Sequence, residues 1–222
     1  MQFSIEHDLD KNSNKLLIIL VFADIVFIVL HTLHHDTGLL PSSLFSLAQE
    51  RGYGEMYQYI KEFWIVVLLF ILAITRLNFL YVAWALLFVY FLLDDSFQIH
   101  ERGGVFLANY LNLEPKYGLQ AEEFGQLFIS IFFGGFFLAI IGVSHYLSNV
   151  SDRIISKYLF IMLIILIFFG IILDMILQLI SLFKGVYGRI EEGGELFVMS
   201  IITWYVFSIN GSEKGIPNSD KQ

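Results

Sequence analysis

The chain has 222 residues, of which 57% are hydrophobic and 15% charged, with 23 Phe, no Cys, a mean hydropathy of +0.70 and a formal net charge of −8. So apolar a composition excludes an ordinary soluble domain and describes a chain built for lipid. The acidic balance, without any basic stripe, excludes nucleic acid as a partner, and the lack of Cys excludes disulfides, thiolate nucleophiles and thiolate metal sites.

Apolar runs close to the length that a hydrocarbon core of about 30 Å requires occur at 16–35, 62–76, 79–100, 123–147, 156–181 and 192–209. They predict an all-α, polytopic membrane helix bundle of about six transmembrane helices. Residues 1–210 read as a single transmembrane helix-bundle domain and 211–222 as a polar C-terminal tail. The first fifteen residues mix Glu6, Asp8 and Asp10 with Lys11 and Lys15, and no small-residue cleavage pattern follows, so the first run is expected to be retained. Six spans place both termini on one face, side A, which carries Lys11, Lys15, Arg76, Arg153, Lys157, Lys214 and Lys221. Side B carries Arg51, Lys61, Arg102, Lys116, Lys184 and Arg189 together with most of the acids. The Lys and Arg count leans toward side A as the cytoplasmic face, with both termini there and the chain in a prokaryotic inner membrane.

The first run carries Asp24, His31 and His35 at spacings of seven and four, one stripe rising about 16 Å toward side B. Charged or titratable groups at such depth need a partner, a proton or an ion. This makes Asp24 and His31 candidates for a proton or ion path, and His31 and His35 candidate metal ligands. His31-Thr32-Leu33-His34-His35 also resembles the H-x-x-H-H box of membrane fatty-acid desaturases and hydroxylases. That family needs about eight histidines in three boxes, whereas this chain has 6. After this run, Pro41 to Arg51 is expected to start a short interfacial helix, and Glu62 to open the second span as a solvated acid.

The third run ends in Asp94-Asp95-Ser96-Phe97-Gln98-Ile99-His100-Glu101-Arg102-Gly103-Gly104. If the helix continues, Asp94, Gln98 and Glu101 form one stripe, with Arg102 placed to neutralise Glu101. Adjacent carboxylates in a low dielectric share a proton or a cation. Asp94 and Asp95 are therefore candidate catalytic acids, and Asp94, His100 and Glu101 candidate metal ligands. Val105 to Leu113 suits lying against the bilayer. In the fifth run Asp174 is too deep to face lipid and joins the candidate ion path. The sixth opens on Glu191-Glu192-Gly193-Gly194-Glu195, where Glu192 is a candidate catalytic group, Glu195 a candidate ligand, and the glycines permit close approach.

In order, Tyr57 to Glu62, Asp94 to Glu101 and Glu191 to Glu195 resemble features of a set of prokaryotic multi-pass membrane proteins. That resemblance implies the six-helix bundle and the choice of key residues, and no substrate. Two function classes follow from the residues. One is a membrane-embedded enzyme acting on a lipid or other apolar substrate with a divalent metal (Fe, Mn, Zn or Mg) held by oxygen and imidazole. The other is a proton- or cation-handling transporter, channel or sensor subunit. The bilayer is the expected partner, and a homo-oligomer is compatible with either.

Overall fold

A computed structural model describes residues 11–116, 119–173, 176 and 184–213. Seven helices account for most of them: α1 Lys11–Thr32, α2 Tyr53–Arg76, α3 Phe79–Phe97, α4 Ile99–Leu111, α5 Ala121–Leu147, α6 Val150–Ile167 and α7 Lys184–Glu213. Among the described residues there is no strand, only an isolated antiparallel bridge between Lys116 and Leu119. Two helices end in π-helical turns, α1 through Leu33–Thr37 and α6 through Phe168–Leu173. With those turns, five helices are long and apolar enough to cross a membrane: α1, α2, α3, α5 and α6. The sixth run lies in α7, which is as long but carries Glu191, Glu192 and Glu195 in its first half and ends in Asn210, Gly211, Ser212 and Glu213.

The middle of the fold is α3. Its sequence is apolar on every side, the pattern of a helix surrounded by other helices, and Leu80, Tyr81, Ala83, Trp84, Ala85, Leu87 and Phe88 are all buried. α2 and α5 pack on α3, α7 packs on α2 and α1, and α6 packs on α7. The resulting core gathers Ile65, Leu69, Leu72, Trp84, Phe88, Leu163, Met199, Ile202 and Val206. The outer faces of α1, α2, α5 and α6 are apolar, with Ile18, Phe22, Ile74, Phe132, Tyr146 and Ile164 exposed.

Several expected boundaries move. α2 begins nine residues before the expected 62, because Tyr57, Gln58, Tyr59 and Lys61 lower the hydropathy without interrupting the helix; no Gly or Pro lies between Glu55 and Arg76. Pro41 to Arg51 holds only a three-residue 3-10 turn, Ser43–Phe45. The helix of the third run does not continue to His100. Gln98 takes a left-handed conformation (φ 56°) and separates α3 from α4. α4 then crosses α5 with the two backbones almost touching: a Cβ at Gly125 would overlap the Gly104 carbonyl.

The side A end is tied by Asp152, which is 1% exposed. Its carboxylate accepts from Arg76 Nη1 at 2.6 Å, Tyr81 Oη at 2.6 Å, Asn78 Nδ2 at 2.5 Å and Asn149 Nδ2 at 2.7 Å. These bonds lash the α2–α3 turn to the start of α6.

Candidate functional site

Side B opens into a cavity of about 560 Å³. Of the described residues that line it, ten carry carboxyl groups and none is Lys or Arg. The positions follow from helix periodicity. On α2, Gln58 and Glu62 are one turn apart and face α3 and α7, while their neighbours Tyr57 and Lys61 face α1. α3 brings Asp94 and Asp95, and α7 brings Glu191, Glu192 and Glu195.

Glu62 is 1% exposed. Its carboxyl lies beside that of Asp95, near enough for each to act on the other, while Oε2 meets no donor among the described residues. Two neighbouring carboxyl groups held away from water do not both carry a full charge at ease unless a proton or another cation lies between or beside them. Glu195 completes the cluster from α7. Gln58 Nε2 reaches its Oε2 at 3.5 Å, and Asp95, Glu191 and Glu192 are close enough for their charges to act on it. Gly170 makes room for this side chain, since a Cβ there would meet the Glu195 carboxylate. Tyr59 closes the wall, donating at 2.6 Å to Glu55 with its Oη also 3.0 Å from the Asp95 carbonyl.

At the rim, Asp94 accepts from the His100 backbone N–H at 2.7 Å through Oδ1, and its Oδ2 lies 2.9 Å from His100 Nδ1. The first contact caps α4, where the freed N–H groups and the helix dipole favour an anion. The second fixes the imidazole. Burial alone would lower the His100 pKa, but the Asp94 hydrogen bond and the charges of Asp94, Glu101 and Asp95 outweigh it and raise the value above the ordinary 6.5. Glu101 is also held above the ordinary carboxylate range, first by burial and then by the charge of Glu50. Arg102 bonds Gln98 Oε1 at 3.1 Å.

Behind the Glu62 wall runs a buried ion pair. Lys61 Nζ is 3.1 Å from Asp24 Oδ1, 2.7 Å from the Leu196 carbonyl and 3.3 Å from Ser200 Oγ, and it sits 4.5 Å from the centroid of the Tyr57 ring. Lys61 is 0% and Asp24 1% exposed. This contact pins α1 to α2 and α7.

The expected site residues thus separate into groups. Asp94, Asp95, His100, Glu101, Glu192 and Glu195 line one cavity. Asp24 lies apart, against Lys61. His31 is also outside the cavity wall, its Nδ1 accepting from the Leu47 backbone N–H at 3.0 Å, and His35 is exposed with its ring 6.0 Å from that of His31. Asp174 lies outside the described residues. The solvated, helix-opening role expected of Glu62 is overturned: α2 starts at Tyr53, well before Glu62, and Glu62 is buried within it. Lys61, expected among the side B surface charges, is buried as well. The i, i+4 pairs Tyr57–Lys61 and Gln58–Glu62 carried the signal that two faces of one helix were polar. Gly193 and Gly194 lie against Ile28 and Phe169, so they serve helix packing.

Among the described residues, no three His, Asp or Glu side chains come together as a metal cage.

Residues 16–210 match the model of a family described as a domain of unknown function (DUF8692), and the chain belongs to that family. No curated protein and no solved structure matches it.

Proposed function

We propose that this member of the DUF8692 family is an integral membrane protein that binds a positively charged group in the side B cavity, as a cation- or proton-handling transporter or sensor component. α7 completes the bundle in this reading, its acids turned toward the cavity and its apolar length spanning with the other five helices. One observation carries the reading: Glu62 is buried, faces the cavity and has an oxygen without a donor, beside a second carboxyl and opposite a third. Anions held in a low dielectric at membrane depth are costly without a counter-charge. A spread of carboxylates suits an ammonium group, which is satisfied by several acceptors at hydrogen-bond distance, better than a small divalent ion that requires a tight oxygen shell.

A second reading has its own support. His100, oriented by Asp94 through Nδ1 and lining the cavity, has the arrangement of a general base, which keeps a membrane-embedded enzyme acting on a lipid in view. The two separate in one experiment on protein purified in mild detergent without chelator. The cation-binding reading expects no stoichiometric Fe, Mn or Zn by elemental analysis, with thermal stabilisation by methylamine that Glu62→Gln removes. A stoichiometric metal lost in Asp95→Asn, together with no response to methylamine, would replace it with the metalloenzyme.

A further inference from the structure

The cavity changes character along its depth. Along α5, Glu123, Gln126, Ser130, Gly134 and Leu138 line it in turn, a series that begins charged and ends apolar over about 22 Å of helix. The opposite wall, from Ile171 back through Ile167 to Leu163, is apolar throughout. The deep end is roomy on the α5 side: a Cβ added at Gly134 would meet no atom within 4 Å. Among the described residues, α5 packs on α3 and α4 but makes no substantial contact with the Phe168–Leu173 turn, because the cavity lies between them. The flanks of this cleft, Ile131, Phe132 and Phe136 on α5 and Ile164, Ile165 and Phe168 on the α6 side, are apolar and exposed.

We infer that the ligand is an amphipathic amine, its ammonium group held by Glu62, Asp95 and Glu195 and its alkyl chain lying between α5 and α6 along Ser130, Gly134 and Leu138. The inference rests on the cation-binding reading and adds the chain. A free inorganic cation would have no use for an apolar extension that reaches toward lipid, and a neutral lipid would leave the orphaned Glu62 oxygen without a partner. The cavity volume falls within the range that encloses a drug-sized molecule. Because lipid is as apolar as the cleft, the chain adds no hydrophobic driving force of its own. It serves to deliver the ammonium group sideways from the bilayer and to fix its depth.

The test uses the full chain in lipid nanodiscs, titrated with methylamine, decylamine and decanoate. Wild type is expected to bind both amines and to refuse decanoate, which shares the chain and partitions into the same bilayer. Gly134→Leu fills the open end without touching a carboxylate and replaces a helix glycine with a better helix former. It should weaken decylamine about tenfold or more, the scale of a moderate overpacking penalty, and leave methylamine unchanged. Ser130→Leu, one turn nearer the acids, should act in the same direction. Unaltered decylamine binding in both variants, or equal binding of decanoate, would overturn the chain site while Glu62-dependent methylamine binding still upheld the cation site. Failure of wild type to bind either amine would overturn both.

Discussion

Glu62 and Asp152 are buried carboxylates at opposite ends of the same bundle, and their surroundings differ in a way that assigns them different work. Asp152 has four donors within 2.7 Å, whereas Glu62 has an acid for a neighbour and an oxygen without a donor. Asp152→Ala should therefore be a stability lesion. Removing one partner from a buried charge network typically costs about 3 kcal/mol or more, which lowers the melting temperature by about 6 °C or more in a chain of this size. A melting temperature within a degree or two of wild type would show that the turn is held by packing alone. Glu62→Gln should hold its fold, since the amide keeps shape and can donate to Asp95. The Lys61–Asp24 pair supplies a second stability test. Lys61→Met leaves Asp24 buried without its counter-ion and should be severely destabilising, while Asp24→Asn with Lys61→Met should recover much of the loss. Additive losses in the double variant would deny the pairing.

His100 gives a pH dependence with a definite sign. Its folded pKa lies above the ordinary 6.5 because Asp94 and its acidic neighbours favour the imidazolium. The contribution to stability is thus full below about 6.5 and is lost as pH rises through the folded value. Melting curves of wild type should fall across that window more steeply than those of His100→Gln, and parallel slopes would remove the His100–Asp94 contact from the account.

At the scale of elements, the helices that crossed the chain as uninterrupted apolar runs were the legible ones. α3 and α5 could be placed from the sequence because Phe79 to Leu93 and Phe124 to Val143 are almost wholly apolar. α2 was half hidden, since a polar segment inside a bundle reads like a loop until the partners that bury it are known. The α3–α4 break was hidden for a different reason. Gln98 is not a residue that commonly adopts φ near 56°, and nothing local marks it as a boundary. Asp94 holds the break by capping α4, a bond that an unbroken stripe of Asp94, Gln98 and Glu101 could not make. The acids of the cavity were legible as a group because carboxylates at membrane depth need company. Which acid lay innermost was not, because Glu62 depended on the register of α2 against α3 and α7. The α4–α5 crossing predicts its own lesion: Gly125→Val should drive the two backbones apart and disturb the Glu123 and Gln126 rim. Limited proteolysis between residues 111 and 121 would report it as faster cleavage, and wild-type resistance would deny the close approach.

Across the described residues, the bundle is polar at both ends and mostly apolar between them. Ile65, Leu69, Leu72, Trp84, Phe88 and Ile202 pack between the acidic cavity and the Asp152 network, with a few buried hydroxyls among them, such as Ser156, which accepts from Trp84 Nε1 at 2.9 Å. Under the proposed reading, the cation enters from side B or from the bilayer, and passage across would demand a rearrangement of α2, α3 and α7. The charge distribution agrees, with acids crowded where a cation would be received and a satisfied, closed network at the other end. The measurement closest to the central claim is calorimetric titration of methylamine into wild type and Glu62→Gln in nanodiscs at constant salt. Wild type is expected to bind saturably and Glu62→Gln to lose that binding with its fold intact. Equal binding by the two proteins, or no saturable heat from wild type, would contradict it.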